Sequence, residues 1–199
     1  PFFFFLFLDG DVYQKDKIDA FDLVDKLATV LVELRHCPNF DKWLCGQHNF
    51  YRGAHISVYE DETREHLKLI ENIEDKKVLD DLLNKAMKTE WKDKPVFVHG
   101  DIAANNLLIE NRKLVGLIDF GSCGMGDPAC DYAIAWNNFT FNERKHFRNL
   151  LNIDAGTWLR ASVWALWKAL LNLKDENLKS QGLYTITEIL EDIKKEALI

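Results

Sequence analysis

Cysteine is scarce in this sequence. Cys37, Cys45, Cys123 and Cys130 are the four among 199 residues, and no two of them form a CxxC pair. Seven residues separate the first two and six the last two, which fits no zinc knuckle. So few thiols in a chain of this size also exclude a disulfide framework, so they read as reduced cysteines of a cytoplasmic protein. A basic excess is absent as well. With 25 Lys and Arg against 32 Asp and Glu, the formal net charge is −7, and nucleic acid would have to be reached against repulsion. No nucleic-acid partner is expected, whereas a cationic small molecule would be drawn in. No apolar run approaches the roughly 20 residues that cross a bilayer, so no membrane partner is expected either. Repeats and low-complexity linkers are missing, and 199 residues, 47% of them hydrophobic, suit one domain with a real core and are too few for two ordinary ones.

What is present begins with Pro1 and the apolar run Phe2–Leu8. The run lacks the basic leader of a signal peptide. As a strand it would be buried on both faces, and uncovered it would invite aggregation. The expectation is that other protein covers it, either a segment upstream or a second copy of the chain through self-association. After the turn signal Asp9-Gly10-Asp11, apolar residues recur at helical spacing from about Ile18 to His36, among them Phe21, Val24, Leu27, Leu31 and Leu34. A loop with Gly46 and Gly53 follows, and helical patterns resume near 61–73 and 75–91.

The texture then changes. Pro95-Val96-Phe97-Val98 is a short strand that ends in the polar run His99-Gly100-Asp101. The segments 107–109 and 114–118 flank the polar turn Glu110–Lys113 and read as a hairpin. From Asp127 onward the pattern is helical, with Asp127 as an N-cap, Pro128 at the first helical position, and later helices near 142–152, 157–174 and 183–197. The fold class is therefore α+β, mainly helical, around one small β-hairpin.

The hairpin organises the chemistry. Asn106 stands immediately before its first strand and Asp119 immediately after its second. An antiparallel pair returns the chain to its start, so these two oxygen-bearing side chains emerge side by side. Asp101 lies on the loop that feeds the same end. Two carboxylates and one amide oxygen form a hard-oxygen site suited to Mg²⁺, which takes few protein ligands and keeps its other positions for water and phosphate. A carboxylate beside that ion orients an attacking hydroxyl and accepts its proton. These are the working parts of phosphoryl transfer.

The stretch His99-Gly100-Asp101-Ile102-Ala103-Ala104-Asn105-Asn106, then a hairpin, then Ile118-Asp119-Phe120-Gly121, resembles the catalytic and metal loops of protein-kinase-like enzymes. Gly100 in the first loop and the run from Gly126 to Trp136 are similar to the aminoglycoside phosphotransferase family. Protein serine kinases place a lysine where Ala103 stands, which argues against them. The resemblance implies the C-terminal lobe of a protein-kinase-like fold over 11–199, with 1–10 a hinge remnant and the N-terminal lobe largely absent. It implies Asp101 as catalytic base, with His99 bracing the loop. It makes Asn106 and Asp119 the Mg²⁺ ligands, and it has Asp131 supporting the catalytic loop from beneath through backbone hydrogen bonds. Leu108 and Ile118 would floor the adenine pocket, and backbone groups near Leu6 and Phe7 would meet the adenine edge. The activity it implies is transfer of the γ-phosphoryl group of ATP or GTP to a small-molecule hydroxyl. The acceptor is an aminoglycoside, or else a macrolide, a choline-like alcohol or a sugar. A non-catalytic remnant of such an enzyme is the rival reading, and asparagine at position 105, where many relatives have glycine, is a mild departure.

Other polar and aromatic groups read more plainly. Trp158, Trp164 and Trp167 at helical spacing are core rather than a ligand stack. Glu60, Asp61 and Glu62 are either a receptor for a cationic substrate or the acidic first turn of a helix, and Asp154 is similarly placed ahead of one.

Overall fold

The computed structural model describes residues 9–37 and 43–195; the expectations for Leu6, Phe7 and the Phe2–Leu8 run lie outside these residues. The architecture is built around one helix. Ala155–Asn172 is apolar on nearly every side, the pattern of a helix enclosed by protein, and it is buried without a break from Thr157 to Trp167. In chain order the helices are α1 (Ala20–Arg35), α2 (Glu60–Leu67), α3 (Ile73–Ala86), α4 (Ile134–Asn138), α5 (Phe141–Leu150), this central α6, and α7 (Lys179–Lys194). Helices α2, α3 and α7 and the 3-10 turn at 128–133 enclose α6, while α1 packs on α5. Gly182 lets α7 approach closely, because a Cβ there would stand 2.6 Å from the carbonyl oxygen of Ala169. Trp158, Trp164 and Trp167 are buried in the core cluster.

Local signals set the helix starts. Asp19 accepts hydrogen bonds from the amides of Phe21 and Asp22, Asn72 from those of Glu74 and Asp75, and Asp154 from that of Thr157. Thr140 and Glu143 form a capping box at the start of α5. Helix α3 stops at Ala86 rather than continuing to 91, and the hydroxyl of Thr89 closes its end by donating to the Ala86 carbonyl at 2.8 Å. Among the described residues no helix is long and apolar enough to cross a membrane.

Strand structure exceeds the single expected hairpin. The hairpin itself is β3 (Leu107–Glu110) and β4 (Lys113–Leu117), turned by Asn111 and Arg112 at φ +48° and +60°. Both lie in the left-handed region that matches the strand twist across a two-residue turn. Asp11–Val12, at the end of the expected Asp9-Gly10-Asp11 turn, forms β1 and pairs with β3, giving a three-stranded antiparallel sheet of order β1-β3-β4. A second, two-stranded sheet joins β2 (Val96–Val98) to β5 (Gly124–Gly126). The Gly-Met-Gly run carries no β-former pattern. It is strand because neighbours crowd its backbone: a Cβ on Gly126 would lie 2.0 Å from the Gly53 carbonyl oxygen, and one on Gly124 2.5 Å from the Asn49 amide. Only glycine admits that approach.

Candidate active site

The β3–β4 hairpin delivers its residues as the pleat requires. Leu107 and Ile109 enter the hydrophobic core, whereas Leu108, buried as well, sits outside that cluster on the opposite face, cross-strand from Val12 of β1 and Gly116 of β4. Exposed Val12 and Val115 complete an apolar surface beside Leu108. At the other end of the hairpin, the Ile118 amide donates to the Asn106 carbonyl at 3.0 Å, so the chain closes where Asn106 and Asp119 leave it.

The loop between β2 and β3 is fixed from several directions. Asp131, 2% exposed at the start of the turn before α4, accepts hydrogen bonds from the backbone amides of His99 (2.9 Å) and Gly100 (2.7 Å). Burial pushes its carboxyl above the ordinary range, and the two amide hydrogen bonds pull against that. His99 is fully buried. Its Nδ1 accepts from the Asp101 amide, so Nε2 carries the proton and donates to the Ile118 carbonyl at 2.9 Å. Both ring nitrogens are thus spent on backbone, and His99 stands as a brace between the loop and the hairpin. Gly100 has φ +85°, and a Cβ there would meet the Ser122 carbonyl oxygen at 2.2 Å. Asn106, 2% exposed, donates from Nδ2 to the Asp101 carbonyl at 2.9 Å, which turns its amide oxygen toward the side chain of Asn105.

Asp101 itself is half-buried. Burial pushes its carboxyl up, but the Lys168 ammonium, 2.6 Å from Oδ1, together with Arg52, holds it below the usual carboxylate range. The niche beside it is small, about 20 Å³, lined by Arg52, Ile102, Cys130, Trp164, Trp167 and Lys168 among others. The Arg52 guanidinium lies over the rings of Trp164 and Trp167, 5.2 and 4.6 Å from their centroids. Neither Arg52 nor Lys168 is expected from the motif. Lys168 is 67 residues from Asp101 in the chain. The sequence signal for it is that Arg160 and Lys168 are the two charged residues of an otherwise uncharged α6.

Asp119 is exposed, with left-handed backbone at φ +65° and ψ +65°, and its Oδ1 accepts from the Gly121 amide at 3.3 Å. Asp119 and Asn106 thus leave the same end of the hairpin, the one an exposed carboxylate and the other a buried amide whose oxygen accepts from Asn105. Among the described residues no group of three or more His, Cys, Asp or Glu is placed to hold a metal.

The acidic groups at the start of α2 divide. Glu60 pairs with Arg64 at 2.8 Å, and Glu62 accepts from the Trp167 indole at 2.6 Å. A separate cleft of about 740 Å³, lined by Gly53, His55, Glu60, Glu90, Trp91 and Asp93 among others, does not include Asp101.

Comparison with known proteins bears on this geometry. The profile of the phosphotransferase enzyme family (APH) matches residues 1–170. An aminoglycoside 3'-phosphotransferase of Escherichia coli is 49% identical over 43 residues, a stretch that takes in 22% of this chain and 16% of that protein. Among solved structures, the GDP complex of aminoglycoside 2'-phosphotransferase-IIIa superposes with a TM-score of 0.62 at 16% identity, covering 91% of this chain and 67% of that one. The gentamicin complex of APH(2")-IIa gives 0.53 at 17% identity, covering 92% and 69%. Macrolide 2'-phosphotransferase type I gives 0.55 at 17%, covering 87% and 59%. The chain therefore spans about two thirds of the length of these structures and shares their kinase-like fold.

Proposed function

Because this chain belongs to the phosphotransferase enzyme family, we propose that it carries the catalytic site of a small-molecule kinase, transferring the γ-phosphoryl group of ATP or GTP to an acceptor hydroxyl. The observation that carries this reading is the fixing of Asp101. Its loop is tied to Asp131 by two amides, to the hairpin by His99, and to Asn106 by the Asp101 carbonyl, so the carboxylate is positioned before any substrate arrives.

In the step proposed, the acceptor oxygen bonds to the γ-phosphorus as the bond from that phosphorus to the bridging oxygen breaks. The nucleoside diphosphate leaves, and the hydroxyl proton passes to Asp101. Asn106 and Asp119 would hold Mg²⁺, which when bound neutralises phosphate charge. The apolar surface of Val12, Leu108 and Ile118 would floor the adenine. The names of the relatives favour an aminoglycoside acceptor, with a macrolide next.

The test is a panel of aminoglycosides, macrolides, choline and sugars incubated with ATP or GTP and Mg²⁺, read by nucleoside diphosphate release. Asp101→Asn should lower kcat by about 10²-fold or more, the contribution typical of a positioned base, with nucleotide affinity unchanged. Turnover undiminished in that variant would remove Asp101 from its role.

A further inference from the structure

The ion pair between Lys168 and Asp101 has no counterpart among the groups assigned so far. Lys168 reaches the loop from α6, near the middle of the molecule. Its helix is well packed there, since Trp164 and Trp167 are buried, the Arg52 guanidinium lies over both rings, and the Trp167 indole donates to Glu62. Lys168 follows Trp164 by four residues, so the two share a face of the helix, and that face is the wall of the Asp101 niche.

The contact is one-sided in a useful way. The ammonium meets Oδ1, while Oδ2 of Asp101 makes no hydrogen bond among the described residues. A carboxylate pinned at one oxygen has its rotamer fixed and offers the other in a set direction. The side chains of Asp101 and Lys168 are 32% and 37% exposed, so the pair stands at the mouth of the niche, where an acceptor would arrive, and not within the core. Arg52 adds a second cation to the same side without touching the carboxylate through any hydrogen bond recorded among the described residues.

We propose that Lys168 is a positioning residue for Asp101: it clamps Oδ1 so that Oδ2 is presented to the acceptor hydroxyl. This rests on the phosphotransferase reading above. The groups of charged or titratable type facing Asp101 are Lys168 from α6, Arg52 from the segment before Gly53, and the imidazole of His99 from its own loop. Removing Lys168 takes away the one hydrogen bond made by the Asp101 carboxylate among the described residues, so the side chain is free to turn and Oδ2 is no longer held in one direction.

The experiment compares wild type, Lys168→Met and Lys168→Arg in the complete natural protein. Three quantities are read: kcat, the acceptor KM and the nucleotide affinity. Lys168→Met should fold, because the side chain is partly exposed and its hydrogen bond is to Asp101; circular dichroism checks this. The expected result is a kcat reduced by about tenfold, a fraction of the roughly 10²–10⁴-fold that a positioned base supplies. Acceptor KM and nucleotide affinity should be nearly constant, and Lys168→Arg, which can still clamp Oδ1, should restore most of kcat.

An active wild type whose Lys168→Met variant keeps its kcat would overturn this proposal alone. So would a rise in acceptor KM at an unchanged kcat, since Lys168 would then be gripping the acceptor. A wild type that transfers phosphate to no acceptor would overturn the functional reading and this one with it.

Discussion

Arg160 Nε lies 2.6 Å from Asp127 Oδ2, with the two side chains 0% and 5% exposed. The pair joins the middle of α6 to the turn that follows β5, and Asp127 in the same position caps that turn by accepting from the Ala129 amide at 3.0 Å. Two residues of α6 are charged, and each meets an aspartate of a site loop: Arg160 meets Asp127 and Lys168 meets Asp101. The central helix is thus the member against which both loops are set.

A buried ion pair broken from one side leaves an uncompensated charge. Arg160→Met should therefore lower stability by about 3–5 kcal/mol, a loss visible as an earlier midpoint in urea with unchanged slope. The double variant Arg160→Met with Asp127→Asn should recover much of that loss, since the stranded carboxylate is gone. A single variant as stable as wild type would mean the pair is dispensable.

Asp131 should behave differently. Asp131→Ala strands two buried backbone amides, those of His99 and Gly100, at about 1–3 kcal/mol each. Hydrogen exchange at those two amides should accelerate well beyond that of the α6 core, and phosphoryl transfer should fall with the loop's order. Exchange that rises uniformly over the whole chain would indicate a general loss of stability, with no special hold on the loop.

Gly100 admits no side chain. Its φ of +85° disfavours any Cβ, and that Cβ would stand 2.2 Å from the Ser122 carbonyl oxygen, backbone that no rotamer relieves. Gly100→Ala should cost several kcal/mol, in the range of the severe point variants, and separate the Asp101 loop from the segment after Asp119. Thermal unfolding and nucleoside diphosphate release are the measurements; near-wild-type values for both would contradict the packing described here.

The difference between what was legible in the residues and what was not follows from range. The hairpin, its polar turn and the placement of Asn106 and Asp119 at its two ends are local pattern, read directly from alternation and turn residues. Asp131 was reachable because the family resemblance supplied the partner across 31 residues. The strand at Gly124–Gly126 carries no propensity at all and exists because Gly53 and Asn49 press on its backbone, a fact of tertiary approach. Lys168 stands out only as one of two charges on an otherwise uncharged helix, and nothing near it or Arg52 in sequence says that Asp101 stands opposite. The tryptophans were readable as core, but the burial of Trp164 and Trp167 also sets the wall of the niche, which spacing alone does not convey.

Asp119 separates binding from folding. It is exposed, its carboxylate touches only the Gly121 amide among the described residues, and its left-handed backbone is one that asparagine adopts readily. Asp119→Asn should therefore leave stability within about 0.5 kcal/mol, as surface substitutions usually do. The charge it removes is the one the proposed Mg²⁺ site depends on. Loss of partners one shell further out already weakens metal binding by about 10–100-fold, so Mg²⁺-dependent nucleotide binding should fall by at least that much. Asn106→Ala is the contrasting case. Its buried Nδ2 holds the Asp101 carbonyl at 2.9 Å, so that variant should lose stability together with nucleotide binding. Isothermal titration with nucleotide, with and without Mg²⁺, alongside a melting curve for each variant, distinguishes the two. Undiminished Mg²⁺ dependence in Asp119→Asn would show that the ion is held elsewhere.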